Sequence, residues 1–478
     1  MVKGAFMIHQ FKSEGYNILL DVNSGSVHVV DDLVYDLVKV VEPIYEGGVT
    51  DVDTMKAAVN VAGDMTASEE EVDEAVEEIM ELAKTGRLFS RDVYEPYIDR
   101  FKERGKYVKA LCLHIAHDCN LACKYCFASE GEYNGARGLM SAEVGKKALD
   151  FLIRESGSHV NLEVDFFGGE PTLNFDVVKE IVRYGRSLEA EHNKKFRFTL
   201  TTNGVLLNDD IQEFANKEMS NMVLSIDGRK EVNDRMRPFR GGQGSYDTII
   251  PKFIKAAESR NQMNYYVRGT YTKFNKDFSE DVIHLADLGF EQISVEPVVA
   301  QPEDDYALSM DDVPYLKDQY DKLAHEMILR RKNGKPFNFF HFMIDLSGGP
   351  CVYKRLSGCG AGCEYMAVTP WGDLYPCHQF VGNEKFLMGN VDEGIKKPEI
   401  RDKFAACNVY SKPGCKDCFA KFYCSGGCAA NSYNFHGDIT SSYEVGCELQ
   451  KKRVECAIML KCAEAFGDEN DGENAAQD

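Results

Sequence analysis

The sequence predicts an α/β protein: an open, partial (β/α)6 barrel of parallel strands, preceded by a small winged-helix-like unit and followed by a cysteine-rich domain. Three observations predict it. Strand and helix patterns alternate six times between residue 108 and about 300. Ahead of them, three short alternating runs precede three helical patterns. The 16 cysteines are segregated, with none in 1–111, four in 112–126, none in 127–350 and twelve from 351 onward. Buried structural thiols scattered through a core would not divide this way.

The chain has 478 residues and a formal net charge of −22, and 44% of its residues are hydrophobic. That length exceeds one typical core, and the apolar content excludes wholesale disorder. Acidity is concentrated locally: residues 51–90 hold 11 acidic and 3 basic side chains, and 464–478 hold 6 acidic and no basic ones. Nothing here neutralises a phosphate backbone, so nucleic acid is excluded as the main partner. The start MVKGAFMIHQ lacks a signal-peptide core and no run is long and apolar enough for a membrane span. The expectation is a cytoplasmic protein without a membrane partner. In that compartment thiols stay reduced, so metal or redox chemistry accounts for the cysteines better than disulfides do.

In order along the chain, Ala5–His9, Tyr16–Asp21 and Ser26–Val30 read as an antiparallel meander, with turns at 13–15 and 23–25. Helical patterns follow at about 31–45, 52–62 and 69–84, with caps near Asp31 and 66–68 and a stop at Gly86. Residues 1–92 form this unit and 93–107 a linker. The barrel, 108–310, takes strands Lys109–His114, Leu162–Phe167, Phe196–Thr202, Met222–Ile226, Tyr265–Thr270 and Gln292–Glu296. Helices lie near 141–155, 175–192, 208–217, 246–259 and 279–288. A bridging region, 311–344, carries a helix at about 313–333. The cysteine-rich domain spans 345–462, and the acidic tail 463–478 is expected to be disordered.

After the first barrel strand the chain reads Cys119-Asn-Leu-Ala-Cys123-Lys-Tyr125-Cys126-Phe127, a C-x3-C-x2-C pattern. Three thiolates can hold three corners of a 4Fe-4S cube and leave the fourth iron open to an outside chelator, whereas protein-held clusters usually carry four thiolates. Zinc, the competing reading, usually takes four ligands at other spacings. This loop resembles the radical S-adenosylmethionine superfamily. The resemblance implies that Cys119, Cys123 and Cys126 ligate a 4Fe-4S cluster, that S-adenosyl-L-methionine chelates the open iron, and that one-electron reduction yields a 5′-deoxyadenosyl radical. It also implies cofactor contacts from Tyr125 and Phe127, from the segment Gly168-Gly169-Glu170-Pro171 (methionyl amine), and from Thr202, Asn203, Ser225 and Asp227 at strand ends. Arg237 reads either as a clamp for the cofactor carboxylate or as a surface ion pair. Position 233 is Asn where relatives commonly carry His, so no role is attached to it. Cys112, inside the first strand, reads as core.

The C-terminal spacing is Cys359-x12-Gly372-x4-Cys377, then Cys415-x2-Cys418-x5-Cys424-x3-Cys428, then Cys447. It resembles the SPASM domain of peptide-modifying radical enzymes, which implies two auxiliary 4Fe-4S clusters and three in all. One would take Cys359, Cys363, Cys377 and Cys428, and the other Cys415, Cys418, Cys424 and Cys447. Whether Cys363 or Cys359 ligates, or an iron is left open for a substrate thiolate, stays undecided at this stage, and Cys351 is a further candidate. A pair of zinc sites is the competing reading. Cys407, Cys456 and Cys462 read as structural thiols. His378 stands where sulfatase-maturing relatives have an aspartate base, which counts against that chemistry.

Met7–Lys12, Tyr16–Gly25 and Val27–Asp32, together with Leu374–Phe380, are similar to the maturases of SCIFF peptides, whose N-terminal unit is a RiPP recognition element that clamps a leader peptide by strand addition. This resemblance implies an enzyme that forms thioether cross-links, Cys sulfur to α-carbon, in a cysteine-rich precursor peptide held through its leader. An electron donor such as flavodoxin or ferredoxin would be a partner. The chemistry would be carried by cluster and radical, with no catalytic side chain assigned. The alternatives are a maturase making formylglycine or another modification, and a non-catalytic iron–sulfur or zinc peptide sensor.

Overall fold

The hairpin that opens the structure is set by its turn. Glu14 and Gly15 both take positive φ, 50° and 80°, the two-residue geometry that matches strand twist. Ser13 therefore faces Tyr16, and the first strand, β1, runs Ile8–Ser13, beyond the expected Ala5–His9. The computed structural model describes residues 6–62, 67–99, 107–129, 131–133, 135–346 and 352–474, so Ala5 and Cys351 lie outside the described residues. Strands β2 (Tyr16–Asp21) and β3 (Val27–Val30) complete an antiparallel sheet in the order β1-β2-β3. Helices follow at Asp32–Glu46, Val52–Ala62 and Glu69–Lys84. The last starts with a capping box between Ser68 and Glu71. Successive β2 side chains face opposite ways. Leu19 joins the core of these helices with Leu37, Val41 and Ile79, while Ile18 and Leu20 join the core of the rest of the protein.

Specific contacts lock this unit in place. The His9 ring stacks on Phe419 at 3.5 Å and bonds Glu455 at 2.9 Å. Asp92 accepts from the Tyr410 hydroxyl at 2.7 Å and from Lys421 Nζ at 3.0 Å. Burial works against the Asp92 charge, but these two donors hold its pKa below the ordinary value. Its contribution is therefore present above the unfolded carboxylate pKa of about 3.9 and fades as pH falls through the lower folded value. Asp92→Ala strands Lys421, whose side chain is 3% exposed. A loss of about 3–5 kcal/mol is expected, read as a lower urea midpoint at pH 7.

The barrel strands are β4 (Ala110–His117), β6 (Asn161–Gly168), β7 (Lys195–Thr202), β8 (Met219–Ser225), β9 (Tyr265–Tyr271) and β10 (Gln292–Pro297), with the two-residue β5 (Gly138–Leu139) pairing beside β4. All six pair in parallel in that order. Their helices span Ala142–Glu155, Phe175–His192, Asp209–Glu218, Tyr246–Ser259 and Phe278–Asp287, within a residue of the expected bounds. Along β6, Leu162, Val164 and Phe166 are buried in the main core, while Glu163, Asp165 and Phe167 take the opposite face.

The sheet does not stop at the expected barrel boundary. After the helix Val313–Lys332, strand β11 (Asn338–Phe339) pairs parallel to β10. On the other edge, β12 (Tyr365–Val368) pairs parallel to β4, followed by antiparallel β13 (Asp373–Tyr375), β14 (Gly389–Asn390) and β15 (Gly394–Ile395). The cysteine-rich region thus extends the barrel sheet. The tail reading needs correction as well: the final helix is Glu444–Asn474. It packs on Val313–Lys332, with Arg331 paired to Glu464 at 2.6 Å. A helix already nucleated by packing extends through a charged stretch at little cost. Cys456 and Cys462 are buried in it, and Cys112 is buried in β4.

Candidate active site

The C-terminal ends of β4, β6, β7 and β8 meet around one cavity of about 150 Å³, lined by Cys119, Cys123, Cys126, Glu170, Asn203 and Arg237 among others. The cysteine loop is held from both sides. Ala122 N donates to Pro238 O and Lys124 N to Met236 O, each at 2.9 Å. Arg240 donates to Cys119 O and to Asp118 Oδ1, each at 2.9 Å. The segment 236–240, which carries Arg237, therefore acts as the loop's scaffold.

Gly168 and Gly169 are required by close approach. Gly168 has φ 120°, and a Cβ there would sit 2.4 Å from Ala116 O. A Cβ on Gly169 would sit 2.1 Å from Asp118 O. The chain after β6 can thus lie directly against the chain after β4, which turns Glu170 inward. Glu170 is buried, and its carboxylate accepts from Thr172 N (3.0 Å), the Thr172 hydroxyl, Thr202 Oγ1 (2.8 Å) and Asn203 N (2.7 Å). Burial raises its pKa, and these donors oppose the rise. Among the described residues only Asn203 N bonds Oε2, which leaves that oxygen a lone pair for a cationic group. Pro171 follows at the first position of a short 3-10 turn.

The remaining expected site residues divide. Thr202, Asn203, Ser225, Tyr125 and Phe127 line the cavity, and Asn203 Nδ2 reaches Asn120 Oδ1 at 2.7 Å. Asp227 is instead fully buried behind it, accepting from the Tyr125 hydroxyl at 2.7 Å and Thr270 N at 3.0 Å. Burial lifts its pKa to about 6 although Arg237 and these donors pull the other way. Arg237 is no surface ion pair: it is 8% exposed, donates to the Tyr125 hydroxyl at 2.9 Å, and its Nε is buried without a partner among the described residues. Arg240, Thr172 and Asn120 were not singled out from sequence. Arg240 lies in a loop and acts on backbone far along the chain, a pairing that carries no local signal.

The three thiols influence one another pairwise, and burial pushes Cys119 up to about 12 and Cys123 to about 11. Among the described residues no three His, Cys, Asp or Glu side chains converge closely enough for a single metal ion. Three half-buried thiols facing a cavity, rather than closing on one point, fit a larger cationic centre that can stabilise them as thiolates.

Eight of the other cysteines gather in two sets. Cys415, Cys418, Cys424 and Cys447 are all mutual electrostatic neighbours. Cys359 neighbours Cys363, Cys377 and Cys428, and Cys377 neighbours Cys428. Burial raises Cys363 and Cys447 to about 12 and Cys424 to about 11. His378 sits half-buried between Phe127 and Phe167, with its Nδ1 at 3.3 Å from the Tyr365 hydroxyl, and desolvation there lowers its pKa to about 4.

Residues 113–288 match the family described as the Radical SAM superfamily. The barrel is a Radical SAM domain. The chain is 23% identical over 387 residues, 74% of its length and 75% of the other's, to the radical SAM cyclopropyl synthase TigE of Paramaledivibacter caminithermalis. In fold it is similar to anSMEcpe with bound AdoMet and Cp18Cys peptide, with a TM-score of 0.60, 20% identity, and coverage of 74% of this chain and 98% of that one. It is also similar to Streptococcus suis SuiB bound to precursor peptide SuiA, with a TM-score of 0.50, 17% identity, and coverage of 92% and 97%. The SuiB likeness extends the fold comparison over nearly the whole chain, beyond the Radical SAM domain. No helix among the described residues is long and apolar enough to cross a membrane.

Proposed function

We propose that the protein is a radical S-adenosylmethionine enzyme that installs intramolecular thioether cross-links, Cys sulfur to α-carbon, in a cysteine-rich, SCIFF-type precursor peptide. The observation that carries the radical chemistry is the single cavity on which Cys119, Cys123 and Cys126 meet the Gly168–Glu170 turn and Arg237. The radical chemistry is further supported by TigE, named a radical SAM synthase, and the peptide substrate by the similar folds of anSMEcpe and SuiB, which are titled with bound peptides. With its clusters and S-adenosyl-L-methionine bound, the chemistry supplied is one-electron: sulfonium cleavage to a 5′-deoxyadenosyl radical, hydrogen abstraction from the peptide, and loss of an electron as the carbon–sulfur bond closes.

The chain's own residues have these roles in the proposal. Cys119, Cys123 and Cys126 hold the first 4Fe-4S cluster. Cys359, Cys363, Cys377 and Cys428 hold one auxiliary cluster, and Cys415, Cys418, Cys424 and Cys447 the other. Glu170 Oε2 accepts from the methionyl ammonium, and Arg237 Nε donates to the methionyl carboxylate. Asp227 acts through Tyr125, holding its hydroxyl so that Arg237 stays aimed at the cavity. Residues 1–92 clamp the leader, 345–462 carry the auxiliary centres, and a flavodoxin or ferredoxin supplies the electron.

The test is mass spectrometry of a small cysteine-rich precursor after anaerobic reaction with dithionite and S-adenosyl-L-methionine. The expected product has lost two hydrogens and carries a cysteine that no longer alkylates. A cysteine converted to an aldehyde with loss of sulfur would replace thioether formation by formylglycine chemistry. An unchanged peptide beside abundant 5′-deoxyadenosine would overturn the substrate. Absence of 5′-deoxyadenosine would overturn the radical chemistry.

A further inference from the structure

Two lysines are buried in the cysteine-rich region, Lys412 and Lys421, each 4% exposed. Lys421 has a carboxylate, Asp92, at 3.0 Å. Lys412 has none among the described residues: its ammonium has one contact, 3.4 Å from the neutral hydroxyl of Ser432. A buried charge so poorly partnered costs several kcal/mol unless an anion stands beside it. What stands beside it is sulfur. Lys412 lines a cavity with Cys359, Cys363 and Cys407, and its charge acts on the thiols of Cys407 and Cys428.

We propose that Lys412 is the buried counter-charge of an anionic iron–sulfur centre held by Cys359, Cys363, Cys377 and Cys428, and that it sets that centre's reduction potential. The inference rests on the reading of these four thiols as cluster ligands. Four thiolates around a 4Fe-4S core leave a net negative charge, and a one-electron reduction adds another. A fixed ammonium favours the more negative, reduced state, so it raises the potential. The ammonium thereby makes this centre a better electron acceptor than the same four thiolates would be without it, which suits it to take the electron released when a carbon–sulfur bond closes. Lys412 is a positioning residue in this account; it touches no substrate atom.

The experiment is an EPR-monitored redox titration of the anaerobically reconstituted full-length enzyme and its Lys412→Met and Lys412→Arg variants, with iron counted in each. Lys412→Met keeps the apolar stem and removes the charge. The expected result is unchanged iron content and one auxiliary signal, the one lost in Cys428→Ala, becoming at least tenfold harder to reduce. That factor is a shift of about 59 mV for one electron. Lys412→Arg, which keeps the charge, should stay near the parent potential. If Lys412→Met leaves every midpoint where it was, the counter-charge is overturned while the cluster reading stands. If Cys428→Ala removes neither iron nor a signal, the four-thiol centre itself is overturned. If Lys412→Met fails to fold, Lys412→Arg decides alone: a parent-like midpoint supports the inference, and a midpoint displaced as far as tenfold overturns it.

Discussion

Cys123→Ala is expected to reduce 5′-deoxyadenosine formation to the buffer background, a loss of at least a thousandfold, while the protein stays folded. The three thiols of the loop share one cavity, and removing one leaves too few donors to hold a cube of which one corner is already unprotected. Cys123 is the informative choice because it is neighbour to both other thiols and to Arg237. The loop itself hangs on backbone bonds from 122 and 124 to 236 and 238, which the substitution leaves intact. Iron per chain should fall from about twelve to about eight, with the signals of the two C-terminal sets unchanged. Retained iron together with retained cofactor cleavage would end the radical reading. Complete iron loss would instead mean that the three centres assemble together.

The second large effect is expected at Glu170. Its carboxylate collects four donors from three residues at the ends of β6 and β7, so Glu170→Ala strands buried N–H and O–H groups of Thr172, Thr202 and Asn203. Each stranded group costs about 1–3 kcal/mol before relaxation, and a total near 2–4 kcal/mol is expected as a fall in thermal stability of the holoenzyme. The same change removes the acceptor facing the cofactor ammonium. A charge-assisted hydrogen bond is worth about 1.5–3 kcal/mol, so affinity for S-adenosyl-L-methionine should drop roughly ten- to a hundredfold, measured by equilibrium dialysis without reductant. Glu170→Gln separates the effects. It restores most of the donor network but carries no charge, so stability should largely recover while affinity does not. Affinity recovering with Gln would leave Glu170 a purely structural bracket.

Local pattern made most of this molecule readable in advance. The barrel strands and helices follow from alternation and 3.6-residue periodicity, which depend only on near neighbours. The two sets of four cysteines are implied by the resemblance to the SPASM domain, and the structure brings Cys415, Cys418, Cys424 and Cys447 together and sets Cys359 beside Cys363, Cys377 and Cys428. Gly168 and Gly169 carried a signal because only a missing Cβ permits backbone at 2.1–2.4 Å from where it would stand.

What the sequence by itself determined, then, is the alternation of elements, the grouping of thiols and the Gly-Gly-Glu turn, since each is encoded within a few residues or in a repeated chemical type. Only the tertiary structure decided that β11 and β12 lengthen the barrel sheet on both edges, that Arg237 is interior and bonded through Tyr125 to Asp227, and that Lys412 lies among sulfurs with no carboxylate partner among the described residues. Two-residue strands have no periodicity to read, and the surroundings of a buried charge are assembled from segments hundreds of residues apart. The physical cost of burying that charge depends on those surroundings alone.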